Sequence, residues 1–178
     1  MGVLVANRSA HAFLRCAYDA TSASLLVSHL DQLDASERYS LLDDTWALVR
    51  SGSADLDGLV ALITTLFDRS QTGAETDPPV LRHLVGISST LVTMSEDRSG
   101  TGAWLAQMLW GTLDRIGVDA EAGEESEITE VRGVVLTALG RLDDPKVAEL
   151  AAERAEAHLG GAAMPAAHAA AAIDTMAR

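Results

Sequence analysis

The chain has 178 residues, of which 48% are apolar but only 4% aromatic, and a formal net charge of −13. That length suffices for one domain, or a run of stacked helices, whose core is built from alanine, leucine and valine rather than rings. The negative charge argues against nucleic acid, whose phosphates need clustered Lys and Arg, and against an anionic membrane surface.

Cys16 is the sole cysteine, so no internal disulfide is possible and a reducing compartment is the natural reading. The N-terminal "MGVLVANRSAH" has no basic stretch followed by a long apolar run, and so does not read as a signal peptide. No apolar run approaches the ~20 residues of a membrane helix. The expectation is a soluble, cytoplasmic chain.

In chain order, "VLVANRSAHAFLRCAYD" is the one stretch that reads as strand, with Val3–Val5 and Ala12–Tyr18 flanking a polar turn at Asn7–Ser9. It predicts a short β-hairpin. From Thr21 the period becomes helical, with Leu25, Leu26, His29, Leu30 and Leu33 on one face. The next helix opens at Asp34, with Glu37 positioned for a capping box, and closes on Gly52. A third covers about 55–67, with Leu59, Val60, Ile63 and Phe67 on one stripe. Asp77-Pro78 opens a fourth, and further helices are expected over 102–116, 126–142 and 144–159. Pro165 starts a last, alanine-rich one. The acidic stretch "VDAEAGEESEITE" reads as a solvated loop leading into a helix start. Eight starts spaced by roughly twenty residues, about forty per pair, predict a mainly α, HEAT-like array of antiparallel helix pairs behind the N-terminal hairpin.

No constellation for chemistry stands out. In "RYSLLDDTWALVRSG" (residues 38–52), Leu41, Leu42, Thr45, Trp46, Leu48 and Val49 share a broad sector at ~100° per residue. Asp43 lies opposite, in solvent, and Asp44 flanks the sector. Neighbours on a helix do not face each other, so these carboxylates cannot share a proton as a catalytic dyad would. Arg38 falls inside the apolar sector and needs a buried carboxylate partner or a path to water. A Met there, keeping the packed stem, is expected to cost far less than an Ala. The histidines His11, His29, His83, His158 and His168 form no i, i+4 pair, so no zinc site is expected. "GISST" and "GTGAWL" approach a nucleophile elbow and a dinucleotide loop, but each lacks a glycine and a preceding strand. In the helix after Trp104, Leu105, Met108, Leu109, Leu113 and Ile116 form a core stripe, with Trp110 on the other side.

Taken together, the two opening stretches resemble the start of the C-terminal helical domain of aminopeptidase N-type zinc peptidases. There an asparagine and a "G-[FY]-[YF]-R-V-x-Y-D" strand precede "R-x-x-L-[IL]-D-D-x-[WF]-x-L-x-x-x-G". Asn7, Phe13, Arg15, Tyr18 and Asp19 match the first part; Arg38, Leu41, Leu42, Asp43, Asp44, Trp46, Leu48 and Gly52 match the second. His11, Ala12, Leu14 and Cys16 depart from the strand pattern. The later "EITEVRGVVLTALGRLDDPKVAELAAER" is also similar, with the "L-G-x-x-x-D" turn at Leu139, Gly140 and Asp143.

The resemblance implies that residues 1–19 are the remnant of a preceding β-sandwich, and 20–178 a helical C-terminal domain truncated at its end. It implies a parent zinc aminopeptidase whose H-E-x-x-H…E and G-x-M-E-N motifs lie upstream, so this chain carries no catalytic residue, metal ligand or cofactor of its own. Arg38, Asp43, Asp44 and Trp46 are then a structural motif. The partners implied are the parent's catalytic and β-sandwich domains and its peptide substrates. The competing reading is a free-standing HEAT-like module that binds a protein along a concave face.

Overall fold

The computed structural model describes residues 4–12, 14–121 and 123–159. Five of the seven described α-helices begin where a carboxylate satisfies an orphan amide of the first turn. Asp19 accepts from the Thr21 and Ser22 amides and opens α1 (Ala20–Ser28). Asp34 opens α2 (Ala35–Arg50) through the capping box with Glu37. Asp77 accepts from Val80 N at 3.0 Å at the head of α4 (Pro78–Met94), and Asp144 from Lys146 and Val147 N at the head of α7 (Pro145–Leu159). The remaining helices are α3 (Leu56–Thr72), α5 (Arg98–Ile116) and α6 (Ser126–Arg141). Short 3₁₀ turns cover Arg8–Ala10 and Leu30–Gln32.

The chain divides into two compact units, Met1–Ile87 and Ser88–Arg178, with the boundary inside α4. In the first, α3 packs on both α1 and α2, and the Arg8–Ala10 turn lies against α2. Its core holds Leu26, Leu42, Leu59, Ile63, Phe67 and Leu84, each almost wholly buried. In the second, α6 packs on α5 and on α7 around Leu105, Leu109, Leu136 and Leu139.

Several expectations are corrected. Among the described residues there are seven α-helices and no strand, so the hairpin is not present there. Its alternating pattern is that of an irregular segment laid along α2, whose backbone groups are met by side chains. Asn7 bonds Ala12 both ways, Nδ2 donating to the carbonyl at 2.8 Å and Oδ1 accepting from the amide at 3.0 Å. The 3₁₀ turn at Arg8–Ala10, with Ser9 at φ 54°, interrupts any extended run. Val3, Phe13 and the helix expected at Pro165 lie outside the described residues.

α3 continues five residues past Phe67 until Gly73, at φ 78°, turns the chain. Its buried stripe is Leu59, Leu62, Ile63, Leu66 and Phe67; Val60, 37% exposed, falls at the edge of that arc. α5 starts at Arg98, not residue 102, because Asp97 caps it by accepting from Gly100 N at 2.9 Å. A Cβ on Gly100 would collide with that carboxylate, so the glycine serves the cap rather than a loop. "GISST" and "GTGAWL" are ordinary turns of α4 and α5.

Candidate functional site

The acidic face of α2 and the segment laid over it form the most developed polar arrangement in the first unit. Glu37 is 4% exposed and its two oxygens do separate work. One accepts the Asp34 amide in the capping box; the other accepts the Ser9 amide at 3.0 Å. Two turns on, Asp44 is 7% exposed and accepts the Cys16 amide at 3.0 Å. A spacing of seven residues returns to within ~20° of the same face, so one stripe of α2 holds both ends of the segment.

Asp43, expected to stand in solvent, is engaged on both oxygens. Arg15 Nη1 donates to Asp43 Oδ2 at 2.8 Å and to the Asp43 carbonyl at 3.1 Å, and lies 3.4 Å from Asp44 Oδ1. His83 Nε2 of α4 meets Asp43 Oδ1 at 3.1 Å, and its ring stacks on Tyr39 with centroids 4.5 Å apart. The adjacent carboxylates thus share a guanidinium rather than a proton. The hydrogen bond and charge of Asp43, then the charge of Asp44, push the Arg15 pKa up. Burial, followed by the Asp44 charge, pushes the Cys16 thiol up as well, which disfavours the thiolate a nucleophile would need. A surface depression of about 410 Å³ opens between Asn7, Leu14, Arg15, Tyr39 and Asp43.

Arg38 has a buried partner on another element. Its Nη2 donates to Glu75 Oε1 at 3.0 Å and its Nε to Glu75 Oε2, while Nη1 donates to the Leu33 carbonyl. Glu75 has no exposed surface, and its Oε1 also accepts the Asp77 amide at 3.2 Å, just before α4. Arg38 therefore ties the start of α2 to the loop that launches α4. Trp46 is half-buried, and the Arg50 guanidinium stands 5.7 Å from its ring centre, within cation–π range.

The second unit has a matching device that the sequence reading missed. Arg132, 1% exposed, donates from Nε to the Gly117 carbonyl at 2.9 Å and from Nη2 to the Ile116 carbonyl at 2.8 Å, closing the last turn of α5. Glu124 lies within the supposedly solvated acidic stretch and pairs with the same guanidinium through both oxygens. The Arg132 hydrogen bonds lower the Glu124 carboxyl to about 2. Trp110 Nε1 donates to Asp144 Oδ2 at 3.1 Å, and Lys146 stands 5.3 Å from that ring.

Among the described residues, no group of three His, Cys, Asp or Glu side chains could hold a metal ion. The Asp43–His83 pair already has Arg15 on one side and Tyr39 on the other, so zinc finds no donor set there. No helix among the described residues is long and apolar enough to cross a membrane.

The two stretches that carried the resemblance are thus contact partners: Arg15 sits on the Asp43-Asp44 pair, Asp19 caps α1, and the Tyr18 hydroxyl accepts the Ala6 amide at 3.1 Å. Residues 3–178 match the family model described as the ERAP1-like C-terminal domain. The chain belongs to that family. Aminopeptidase M1-A of Oryza sativa subsp. japonica is 34% identical over 137 residues, covering 73% of this chain and 15% of the relative. Aminopeptidase M1 of Arabidopsis thaliana is 29% identical over 154 residues, covering 83% and 17%. Tricorn protease-interacting factor F2 of Thermoplasma acidophilum is 25% identical over 145 residues, covering 82% and 18%. The chain therefore spans less than a fifth of each of these curated relatives. No solved structure matches it.

Proposed function

We propose that this ERAP1-like domain is the non-catalytic C-terminal helical domain of a zinc aminopeptidase of the aminopeptidase N type. It forms a HEAT-like array of antiparallel helix pairs that packs on the parent's catalytic and β-sandwich domains and limits which peptides reach the cleft. In this reading residues 1–19 are the connection from the β-sandwich, 20–178 are the helical domain, and zinc belongs to the parent's catalytic domain. The observation that carries it is the use of the polar groups. Arg38, Asp43 and Asp44 are each committed to contacts between elements of the chain, which is the work of a structural motif. Trp46 completes that motif. The relatives named aminopeptidases supply the class of the parent. A free, buried Cys16 suits a cytoplasmic setting.

The test is a pair of measurements on the isolated chain. Incubated with zinc and aminoacyl reporters it should release no product and retain no stoichiometric metal after desalting. Turnover, or one tightly held zinc per chain, would place a site on this chain and overturn the proposal.

A further inference from the structure

Residues 14–18 cross α2 at Asp43 and Asp44 and lead to Asp19, the cap of α1, and they are held by side chains rather than by a ladder. The Cys16 amide donates to Asp44, and the Arg15 guanidinium to Asp43. The segment contributes modest apolar burial: Leu14 is 52% exposed, Tyr18 is half-buried, and Cys16 enters the core. Such a segment belongs to the low-stability end of a fold, where few apolar contacts oppose local opening. The helices beneath it have a different support, since α1, α2 and α3 pack on one another through Leu26, Leu42, Leu59 and Ile63.

We propose that residues 14–18 form a strap that unlatches from α2 as a unit while the helices stay folded, with Asp43 and Asp44 as the latch. The two carboxylates divide the task. Asp44 holds the strap's backbone from a buried position, and Asp43 holds its side chain at the surface, 35% exposed, so Asp44 is the stronger half. Resting on the function proposed above, the strap is the joint through which the helical domain meets the polypeptide before it, and the latch sets how tightly that joint is held.

Cys16 makes the opening measurable, because it is the sole thiol of the chain and its burial depends on the latched strap. The whole chain is labelled with a thiol reagent at fixed pH across a series of low urea concentrations. The unfolded chain at the same pH gives the reference rate of an exposed thiol. Because burial and the Asp44 charge, which raise the thiol pKa, persist in the Asp43 and Arg15 variants, their rates relative to wild type are the deciding comparison. Native labelling should be slower than the reference and nearly independent of urea below the unfolding transition. Asp44→Ala should speed it roughly ten- to hundredfold, the range for losing a hydrogen bond to a charged acceptor. Asp43→Asn and Arg15→Gln, which leave the Cys16–Asp44 bond in place, should each speed it roughly two- to fivefold. Helical circular dichroism should stay at the wild-type level in these last two, so the proposal remains falsifiable if Asp44→Ala does not fold. Labelling that rises with urea at the slope of global unfolding would overturn it, as would native labelling at the unfolded rate. So would Asp43 and Arg15 variants that label like wild type. The experiment reads this chain alone, so its failure leaves the aminopeptidase reading standing, and zinc or turnover on this chain would leave the latch standing.

Discussion

Arg38→Met is the substitution for which the structure changes the expected outcome most. Considered on α2 alone, Met keeps the packed stem and removes a costly charge, so the loss is small. Glu75 alters that sum. Its carboxylate is fully buried and takes two bonds from the guanidinium, so Met leaves an uncompensated charge inside the first unit and an unpaired Leu33 carbonyl. Removing one partner of a buried pair costs about 3–5 kcal/mol, so Arg38→Met and Arg38→Ala should both lie in that range, with Ala somewhat worse for its lost packing. Glu75→Met should cost a similar amount by stranding the guanidinium. Arg38→Met/Glu75→Met removes both charges together and leaves the Leu33 carbonyl and the Asp77 amide to find water, about 1–3 kcal/mol in all. The cycle should therefore show a favourable coupling of at least about 3 kcal/mol between the two sites. Urea unfolding followed by far-ultraviolet circular dichroism and tryptophan fluorescence measures each corner. A double variant as unstable as the sum of the singles would refute the reasoning, because the two groups would then not be supporting each other.

Acid should weaken the second unit through Glu124. Its carboxyl sits at about 2, below the ordinary 4.5, so the stability it contributes is complete above the ordinary value and is lost as pH falls from there toward 2. Glu124→Gln should flatten the urea midpoint over that window while lowering it at neutral pH. Gly52→Ala should cost about 1 kcal/mol in thermal or urea melts, since Gly52 holds φ 71° at the end of α2 with open space around a Cβ, leaving conformation as the whole cost. Trp110→Phe should cost about 1 kcal/mol by the same melts, because the ring keeps most of its contacts but loses the bond to Asp144.

The local chemistry of the helices was legible in the sequence. The Asp34–Glu37 box, the Asp77-Pro78 and Asp144-Pro145 openings and the Gly52 turn each depend on residues a few positions apart, and each stands where the spacing put it. What the spacing could not carry was contact across elements. Asp43 reads as solvated because it lies opposite the apolar sector, and a helical wheel contains no information about a chain segment laid over that side. The N-terminal alternation reads as a hairpin because period two also fits an irregular segment with one face on a helix. Arg132 was legible in principle: like Arg38 it interrupts an apolar stripe, between Val131 and Val135, and the acidic stretch upstream offered its partner. That stretch reads as solvent-facing because acids outnumber bases in it, yet Glu124 is drawn in by a single buried guanidinium. A buried arginine, not a run of acids, was the stronger signal.

A helical domain that gates peptide entry is tested most directly in the full polypeptide that carries this chain. Cleavage of a short aminoacyl reporter and of a long peptide with the same N-terminal residue is compared with the helical domain present, deleted, and added back in trans. The proposal predicts that deletion shifts the ratio of kcat/KM for long peptide to short reporter by roughly tenfold, about 1.4 kcal/mol in relative barrier, and that the added chain restores it. An unchanged ratio in an enzyme that still cleaves the short reporter would contradict it.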